Sequence, residues 1–282
     1  MNRYLRYRLC RGCSGRLSEQ SYATHSAGFL KKIIVAGCVF GSGLSIVHGH
    51  SEHAHDEPIH EFTGNVVLTS DYLFRGYSQT DEDPAIQGSL DYKHTPSGIY
   101  LGAWASNIEF NTADNTDDSS IEIDFYGGIS GELTSGISWD IGGLYYCYPD
   151  QNEDSGVGDY DYFEVYAGLG YTFEDTVLSP GVGVMLFYSN DYFGEDEDAY
   201  YPAGTLDLAL PWEFGLGFSV GYLHVDGDET NPAGYDYTHW SVGLSREIAG
   251  FGVDVSYNDA SDDDACPSDF CEAVVFSVSR GF

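Results

Sequence analysis

Beyond residue 49 the chain has almost no basic side chains. The chain has 11 lysines and arginines and 45 acidic residues, and residues 1–49 contain seven of the basic residues but only one of the acidic ones. Residues 50–282 therefore carry four basic and 44 acidic groups. Such a surface repels phosphates, and this excludes nucleic-acid binding as a function. It attracts cations, and acidic loops also keep a surface solvated.

Long apolar runs are also missing from residues 50–282. No stretch there approaches the roughly 18 consecutive apolar residues that a membrane-spanning helix needs. Methionine and proline are sparse, at 2 and 9 residues, whereas glycine (35 residues) and aromatic residues (15%) are plentiful. This composition is typical of many short strands joined by turns, and it predicts an all-β protein.

One long apolar segment lies near the N-terminus. Lys31 and Lys32 precede Ile33–Val47, which is too short for a membrane anchor but suits a secretory signal. Val47 and Gly49 stand at the -3 and -1 positions of a plausible cleavage site. We therefore expect everything up to Gly49, residues 1–49, to be a signal peptide. Its basic region is unusually long, which is compatible with a start codon further downstream.

The rest of the chain divides into about 12 segments of strand length that alternate in polarity. Their spans are 62–75, 84–94, 99–110, 120–133, 137–149, 160–173, 177–189, 199–210, 214–225, 235–246, 251–259 and 272–282. In one of them Phe214, Leu216 and Phe218 fall on one face, and Gly215 and Gly217 fall on the other. Alternation with period two predicts strands with one apolar and one polar side.

The connections between these segments alternate regularly in length. The short ones are Thr95–Gly98, Thr134–Gly136, Glu174–Thr176, Pro211–Glu213 and Glu247–Gly250, and the long acidic ones are 76–83, 111–119, 150–159, 190–198, 226–234 and 260–271. A soluble β-sandwich explains alternating polarity but not alternating loop lengths. An up-and-down barrel explains both, because its periplasmic turns are short and its extracellular loops are long. We predict a closed antiparallel transmembrane barrel over residues 62–282, in the outer membrane of a Gram-negative bacterium.

Aromatic residues and the last strand support this interpretation. Two sets near the strand ends predict interfacial girdles: Tyr72, Phe74, Phe110, Tyr146, Tyr148, Tyr188, Tyr200 and Tyr235 at one end, and Phe62, Tyr92, Tyr100, Trp139, Phe173, Trp212, Phe214 and Phe251 at the other. Val274, Phe276, Val278 and Phe282 share one face of the last strand, which resembles the C-terminal insertion signal read by the barrel-assembly machinery. Arg280 departs from that signal, but its long side chain can reach the interface.

Several motifs resemble one family. The segment Thr69–Thr80 reads TSDYLFRGYSQT, and Pro84–Gly88, Asp91–Tyr92, Tyr100–Asn107 and Tyr145–Tyr146 continue a pattern that is similar to the TorF-type porins of proteobacteria. The likeness extends over most of the predicted barrel and is most specific in the first three strands. It implies an outer-membrane barrel that conducts solutes, and it implies no particular substrate.

Strand parity assigns charged residues to the inner side of the barrel. The expected lumen-lining residues are Asp71, Arg75, Asp91, Lys93, Glu122, Asp124, Asp140, Glu164, Asp207 and Asp254. Inward glycines leave room in the lumen or relieve strain where the barrel curves, and a barrel of this size is not clearly filled or open. We expect a pore for passive diffusion of small cationic or neutral solutes. The alternative is a non-conducting structural or adhesive barrel that acts through its acidic loops.

Histidines raise the question of a metal site in the tail at residues 50–61. His50, His53, His55 and His60 are of a type that binds Zn²⁺, Cu²⁺ or Ni²⁺, but their spacing fixes no coordination geometry. A solvated polar tail is the simpler explanation, and we expect no cofactor. The acidic loops contain no complete calcium-binding motif, so we expect them to be solvated and to lie next to outer-membrane lipid and lipopolysaccharide.

Cysteine pairing and catalysis are the remaining questions. Cys266 and Cys271 lie in the last long loop, and export favours a disulfide between them. His239 and Ser241 have the spacing of a hydrolase pair, but their parity turns them inward and no oriented carboxylate or amide partner is evident. We therefore expect no catalytic residues and no enzyme.

Overall fold

A computed structural model describes residues 58–110, 119–149, 151, 160–194, 197–227, 234–261 and 272–282. No helix in these residues is long and apolar enough to cross a membrane. The predicted signal peptide, His50, His53 and His55, and the cysteine pair Cys266 and Cys271 lie outside the described residues.

Nearly all the regular structure in the described residues is β-strand. The strands are β1 (His60–Thr69), β2 (Leu73–Phe74), β3 (Tyr77–Ser78), β4 (Ala85–His94), β5 (Ile99–Asn107), β6 (Ile121–Glu132), β7 (Ser138–Cys147), β8 (Tyr162–Thr172), β9 (Gly181–Ser189), β10 (Ala199–Leu210), β11 (Phe214–Val225), β12 (Tyr235–Ile248), β13 (Phe251–Ala260) and β14 (Ala273–Gly281). A 3-10 turn, Pro211–Glu213, joins β10 to β11.

The twelve longer strands close into one barrel, which confirms the predicted fold. Each is antiparallel to its neighbours in chain order, and β1 pairs with β14 to close the ring. The two-residue strands β2 and β3 pair only with each other. Because every barrel strand has two partners, the sheet has no open edge, as lipid requires.

The closing seam depends on the last residue of the chain. Gly64 and Phe282 exchange two backbone hydrogen bonds of 3.0 Å each. The Phe282 ring covers Gly64 so closely that a Cβ added to Gly64 would lie 2.5 Å from the ring. Any side chain at position 64 would therefore displace the ring from the seam.

The outer face of the barrel is apolar. Large side chains on this face are exposed on every barrel strand, for example Leu90, Ile141 and Val184. The predicted insertion-signal residues Val274, Phe276, Val278 and Phe282 are also exposed, and Phe276 has 60% of its surface accessible. A closed sheet with an apolar outside is a transmembrane barrel, and this places the protein in the outer membrane of a Gram-negative bacterium.

Most predicted spans agree with the strands to within three residues, but two regions differ. The first strand begins at His60 and ends at Thr69, not Phe62 and Arg75, because the chain then turns into the β2–β3 hairpin. The predicted turn Glu174–Thr176 extends through Pro180, because the neighbouring Leu178 and Ser179 adopt positive φ angles of 70° and 39° that a strand does not allow.

Candidate functional site

The interior of the barrel contains a hairpin where the sequence predicted the end of a wall strand and a loop. We call residues 71–80, which contain β2 and β3, the inner hairpin. Arg75 and Gly76 form its tip with φ angles of 49° and 93°. Two successive positive φ values are the geometry of a type I′ turn, which suits a tight two-residue hairpin.

Side-chain hydrogen bonds hold the base of the inner hairpin. The Asp71 carboxylate accepts hydrogen bonds from Ser78 Oγ at 2.7 Å and from Thr80 Oγ1 at 3.1 Å. The Tyr72 amide donates to Thr80 Oγ1 at 3.2 Å. Burial raises the pKa of Asp71, although these hydrogen bonds oppose the shift. The hairpin is thus a folded unit held by its own contacts.

An ion pair attaches the tip of the inner hairpin to the opposite wall. Arg75 donates two hydrogen bonds to the Glu164 carboxylate of β8, at 2.9 and 2.7 Å. Both side chains are almost fully buried, at 4% and 1% accessibility. Burial lowers the pKa of Arg75, but the charge of Glu164, together with the neighbouring tyrosines, raises it overall. The guanidinium also lies 4.1 Å from the centroid of the Tyr201 ring on β10.

Aromatic contacts connect the inner hairpin to several strands around the ring. Tyr72 contacts Trp104 of β5, Phe74 contacts Tyr146 of β7, and Tyr77 contacts Tyr237 of β12, with ring centroids 5.3, 5.7 and 4.8 Å apart. A Cβ added to Gly76 would lie 2.8 Å from the Cβ of His239, so the tip packs directly against β12. The hairpin therefore crosses the interior at the end of the barrel that carries the long connections.

Buried aromatic residues fill the space around the inner hairpin. Tyr146 and Tyr162 stack with centroids 4.2 Å apart, and Tyr160 and Phe193 stack at 4.5 Å. Three residues predicted to form an interfacial girdle, Tyr72, Tyr146 and Tyr148, belong to this interior cluster instead. Tyr146 shares the inward parity of Asp140, and that parity was the signal that the prediction overlooked.

Three of the predicted lumen carboxylates lie in this crowded half. Glu122, Asp124 and Glu164 are buried on the inner face, and Tyr72 Oη donates to Glu122 Oε1 at 3.2 Å. Within the described residues the two carboxylate oxygens of Asp124 have no hydrogen-bond partner. Glu164 pairs with Arg75, so Glu122 and Asp124 lie in the interior without a basic partner among the described residues.

The other predicted lumen residues lie in the half of the barrel near the short turns. Tyr100 Oη donates to Asp140 Oδ1 at 2.6 Å and also contacts the Tyr166 hydroxyl. Asp91 accepts hydrogen bonds from Ser89 and Tyr126. Three further predicted residues are partly buried on the same inner face: Lys93, Asp207 and Asp254.

Among the described residues, His60, His239 and Ser241 have hydrogen-bond partners. His60 Nδ1 hydrogen-bonds the Tyr92 hydroxyl at 2.9 Å, and the described residues contain no cluster of three or more potential metal ligands. His239 Nε2 hydrogen-bonds Tyr201 at 2.6 Å, whereas Ser241 pairs with Ser219 at 2.7 Å. His239 is therefore hydrogen-bonded to β10, two strands away, and Ser241 to the neighbouring β11.

The solved structures that the chain resembles share little sequence identity with it. No curated protein matches the chain. A KdgM porin and a NanC porin are each 9% identical to it over 78% of this chain and 98% of theirs, with a TM-score of 0.49. An outer membrane channel from Pseudomonas putida F1 is 10% identical over 83% of this chain and 100% of its own, with a TM-score of 0.48. A family described as "Bacterial protein of unknown function (Gcw_chp)" matches residues 53–282, and the chain therefore belongs to this bacterial family.

Proposed function

We propose that this protein is an outer-membrane pore for passive diffusion of small cationic or neutral solutes, and that the inner hairpin closes it at the extracellular end. The observation that carries the proposal is the contrast between the two halves of the interior. One half holds the buried aromatic cluster, and the other is lined by glycines, polar side chains and the hydrogen-bonded tyrosines Tyr100 and Tyr126.

The half near the short turns carries fewer large side chains than the half that holds the aromatic cluster. Residues on its inner face include Gly128, Ser138, Asp140, Gly142, Gly168, Gly183, Thr205, Asp207, Gly217, Ser245, Asp254 and Ser277. Side chains just fill barrels of about eight strands, and a barrel of twelve is wider. Tyr100, Tyr166 and Met185 lie over Gly128, Gly142 and Gly168. Space for water therefore remains chiefly along β10–β14, where the inner face carries small and polar side chains, and this supports a chamber open to the periplasm.

The carboxylates favour cations over anions in this chamber. Asp91, Asp140, Asp207 and Asp254 line it with Lys93 as the one predicted base, since Arg75 is paired with Glu164. Acidic side chains are the usual lining of cation-selective pores. We therefore propose that the pore prefers cationic solutes, and we also propose that it is related to the TorF-type porins.

The inner hairpin favours a second candidate function. Its ion pair and its aromatic contacts join opposite walls, and such cross-links suit a non-conducting structural or adhesive barrel. In that case the acidic extracellular loops would carry the function. The two candidates differ in one property, which is whether releasing the hairpin opens a path.

Single-channel recording in planar bilayers tests the proposal. The parent is compared with Arg75→Gln and with a variant in which Leu73–Ser78 is replaced by two glycines; Val184→Ala on the lipid-facing side serves as control. We expect brief or small conductances in the parent and the control, and larger, longer openings in both hairpin variants. A folded hairpin variant that stays non-conducting would support the structural barrel instead.

A further inference from the structure

Two of the four basic residues that follow position 49 lie on the outer face of the barrel. Arg246 in β12 shares its parity with the lipid-facing Leu244 and Ile248, and Arg280 in β14 shares it with Val278. Both arginines are within three residues of the short-turn end of their strands. In an outer-membrane barrel this end meets the periplasmic leaflet.

Each of these arginines is held against an aromatic ring. The Arg246 guanidinium lies 5.0 Å from the centroid of Phe214, its direct partner on β11. The Arg280 guanidinium lies 5.3 Å from the centroid of Phe251 and donates a hydrogen bond to the Gly250 carbonyl oxygen. Ring and carbonyl contacts orient the guanidinium groups but leave their positive charges unmatched.

No acidic group in the described residues neutralises these charges. The only arginine ion pair in that part of the chain joins Arg75 to Glu164. The Nε atom of Arg246 is buried and has no hydrogen-bond partner within the described ranges. A guanidinium presents five N–H donors, and unmatched charge near hydrocarbon is costly. An anion from outside the chain would neutralise both guanidinium groups and accept their hydrogen bonds.

The surroundings indicate which anion fits. Ile248, Val253 and Val278 are exposed apolar residues between the two arginines, and Trp212 is 80% exposed on the neighbouring turn. Tryptophan of this kind marks the membrane interface. We propose that Arg246 and Arg280 bind the phosphate groups of anionic phospholipids in the periplasmic leaflet, whose acyl chains lie along the apolar residues. The proposal is independent of whether the lumen conducts.

Native mass spectrometry of the refolded full chain tests this site. Protein in a non-ionic detergent is titrated with phosphatidylglycerol or with phosphatidylcholine of the same acyl chains. The variants are Arg246→Gln, Arg280→Gln and the double variant, with Lys93→Gln as a control that removes one interior charge. Arg246→Lys/Arg280→Lys keeps both charges, and a heat-dependent shift on gels shows that each variant is folded.

We expect the parent and Lys93→Gln to bind phosphatidylglycerol more tightly than phosphatidylcholine. Each single glutamine variant should lose about fivefold of that preference, since one basic residue near an anionic surface contributes about that much. The double glutamine variant should lose it entirely, and the double lysine variant should retain part of it. Three results would overturn the proposal. The parent could bind both lipids equally, the double glutamine variant could keep the preference unchanged, or millimolar inorganic phosphate could displace the lipid.

Discussion

At the scale of single residues, a buried arginine is tolerated only where its charge is matched. Arg75 is matched by Glu164 through two hydrogen bonds, and Tyr146 Oη donates a third hydrogen bond to the same carboxylate at 3.0 Å. A basic residue on the inner face can either form an anion-attracting constriction or brace the wall. The pairing and burial of Arg75 favour the brace.

Removing one partner of this ion pair should destabilise the barrel more than removing both. We expect Arg75→Ala to lower the free energy of unfolding by about 3–5 kcal/mol, because Glu164 is left buried without a partner. Adding Glu164→Gln should recover most of that loss. Urea unfolding in detergent micelles measures both effects, and additive losses in the double variant would show that the two residues do not interact.

The lipid-facing side of the last strand should not tolerate a charged side chain. Phe276→Arg should cost about 2–4 kcal/mol, the penalty for a basic residue near the bilayer midplane. Ser279→Arg, on the inner face three residues later, should cost less because its charge can reach water in the lumen. Folding yield into liposomes and melting temperature report the difference. If Phe276→Arg inserts and melts like the parent, the outward assignment of Phe276 is wrong.

At the scale of elements, the long strands were predictable and the inner hairpin was not. The β10 and β11 boundaries match the predicted spans because Pro211–Glu213 interrupts a clear alternation. In the first strand the alternation of polar and apolar residues continues past Thr69 into the hairpin. This pattern therefore does not indicate where the chain leaves the barrel wall. The tip adds to the difficulty, because Arg75 adopts a positive φ that non-glycine residues rarely take.

The same limit applies to the interior. Parity places Glu122, Asp124 and Glu164 inward, where the structure has them, because charge and alternation agree. Tyrosine carries no such signal, since it suits a membrane interface as well as a packed interior. Which tyrosines pack together depends on where the hairpin lies, and no local pattern in the sequence encodes that position.

The long connection between β13 and β14 contains Cys266 and Cys271, which lie outside the described residues. We expect Cys266 and Cys271 to form a disulfide there, since the exported chain meets an oxidising compartment. Replacing both with serine should cost less than the roughly 3 kcal/mol of a 15-residue loop, because the closed loop is shorter. Intact-mass measurement with a thiol-alkylating reagent, without reductant, tests the pairing. Alkylation at both positions would contradict it.

At the scale of the whole molecule, the imbalance of charge should determine which ions pass. With Arg75 neutralised by Glu164, the inner face offers Lys93 against the remaining predicted carboxylates. We expect cation selectivity in the open pore, most clearly in the variant with the shortened hairpin. The selectivity should weaken with salt, because the Debye length falls from about 10 Å at 0.1 M to about 3 Å at 1 M.

Reversal potentials under a KCl gradient measure this preference at two mean salt concentrations. Asp207→Asn/Asp254→Asn should reduce cation selectivity, because both carboxylates lie in the chamber. The matched control, Glu213→Gln, changes an exposed turn residue outside the strands. Anion selectivity in the open variant would overturn the assignment of the carboxylates to the conducting path.

The seam between β1 and β14 determines when the molecule can fold. It joins the first barrel strand to the last, and one of its hydrogen bonds links Ser70 to Phe276, 206 positions apart in the chain. Pairing across so long a separation is slow, since the whole intervening chain must be ordered first. Until Phe282 has been delivered across the inner membrane, the sheet keeps two open edges that can pair with other chains. The strand β14 must therefore be exported before the barrel closes, and the chain needs protection from aggregation throughout that interval.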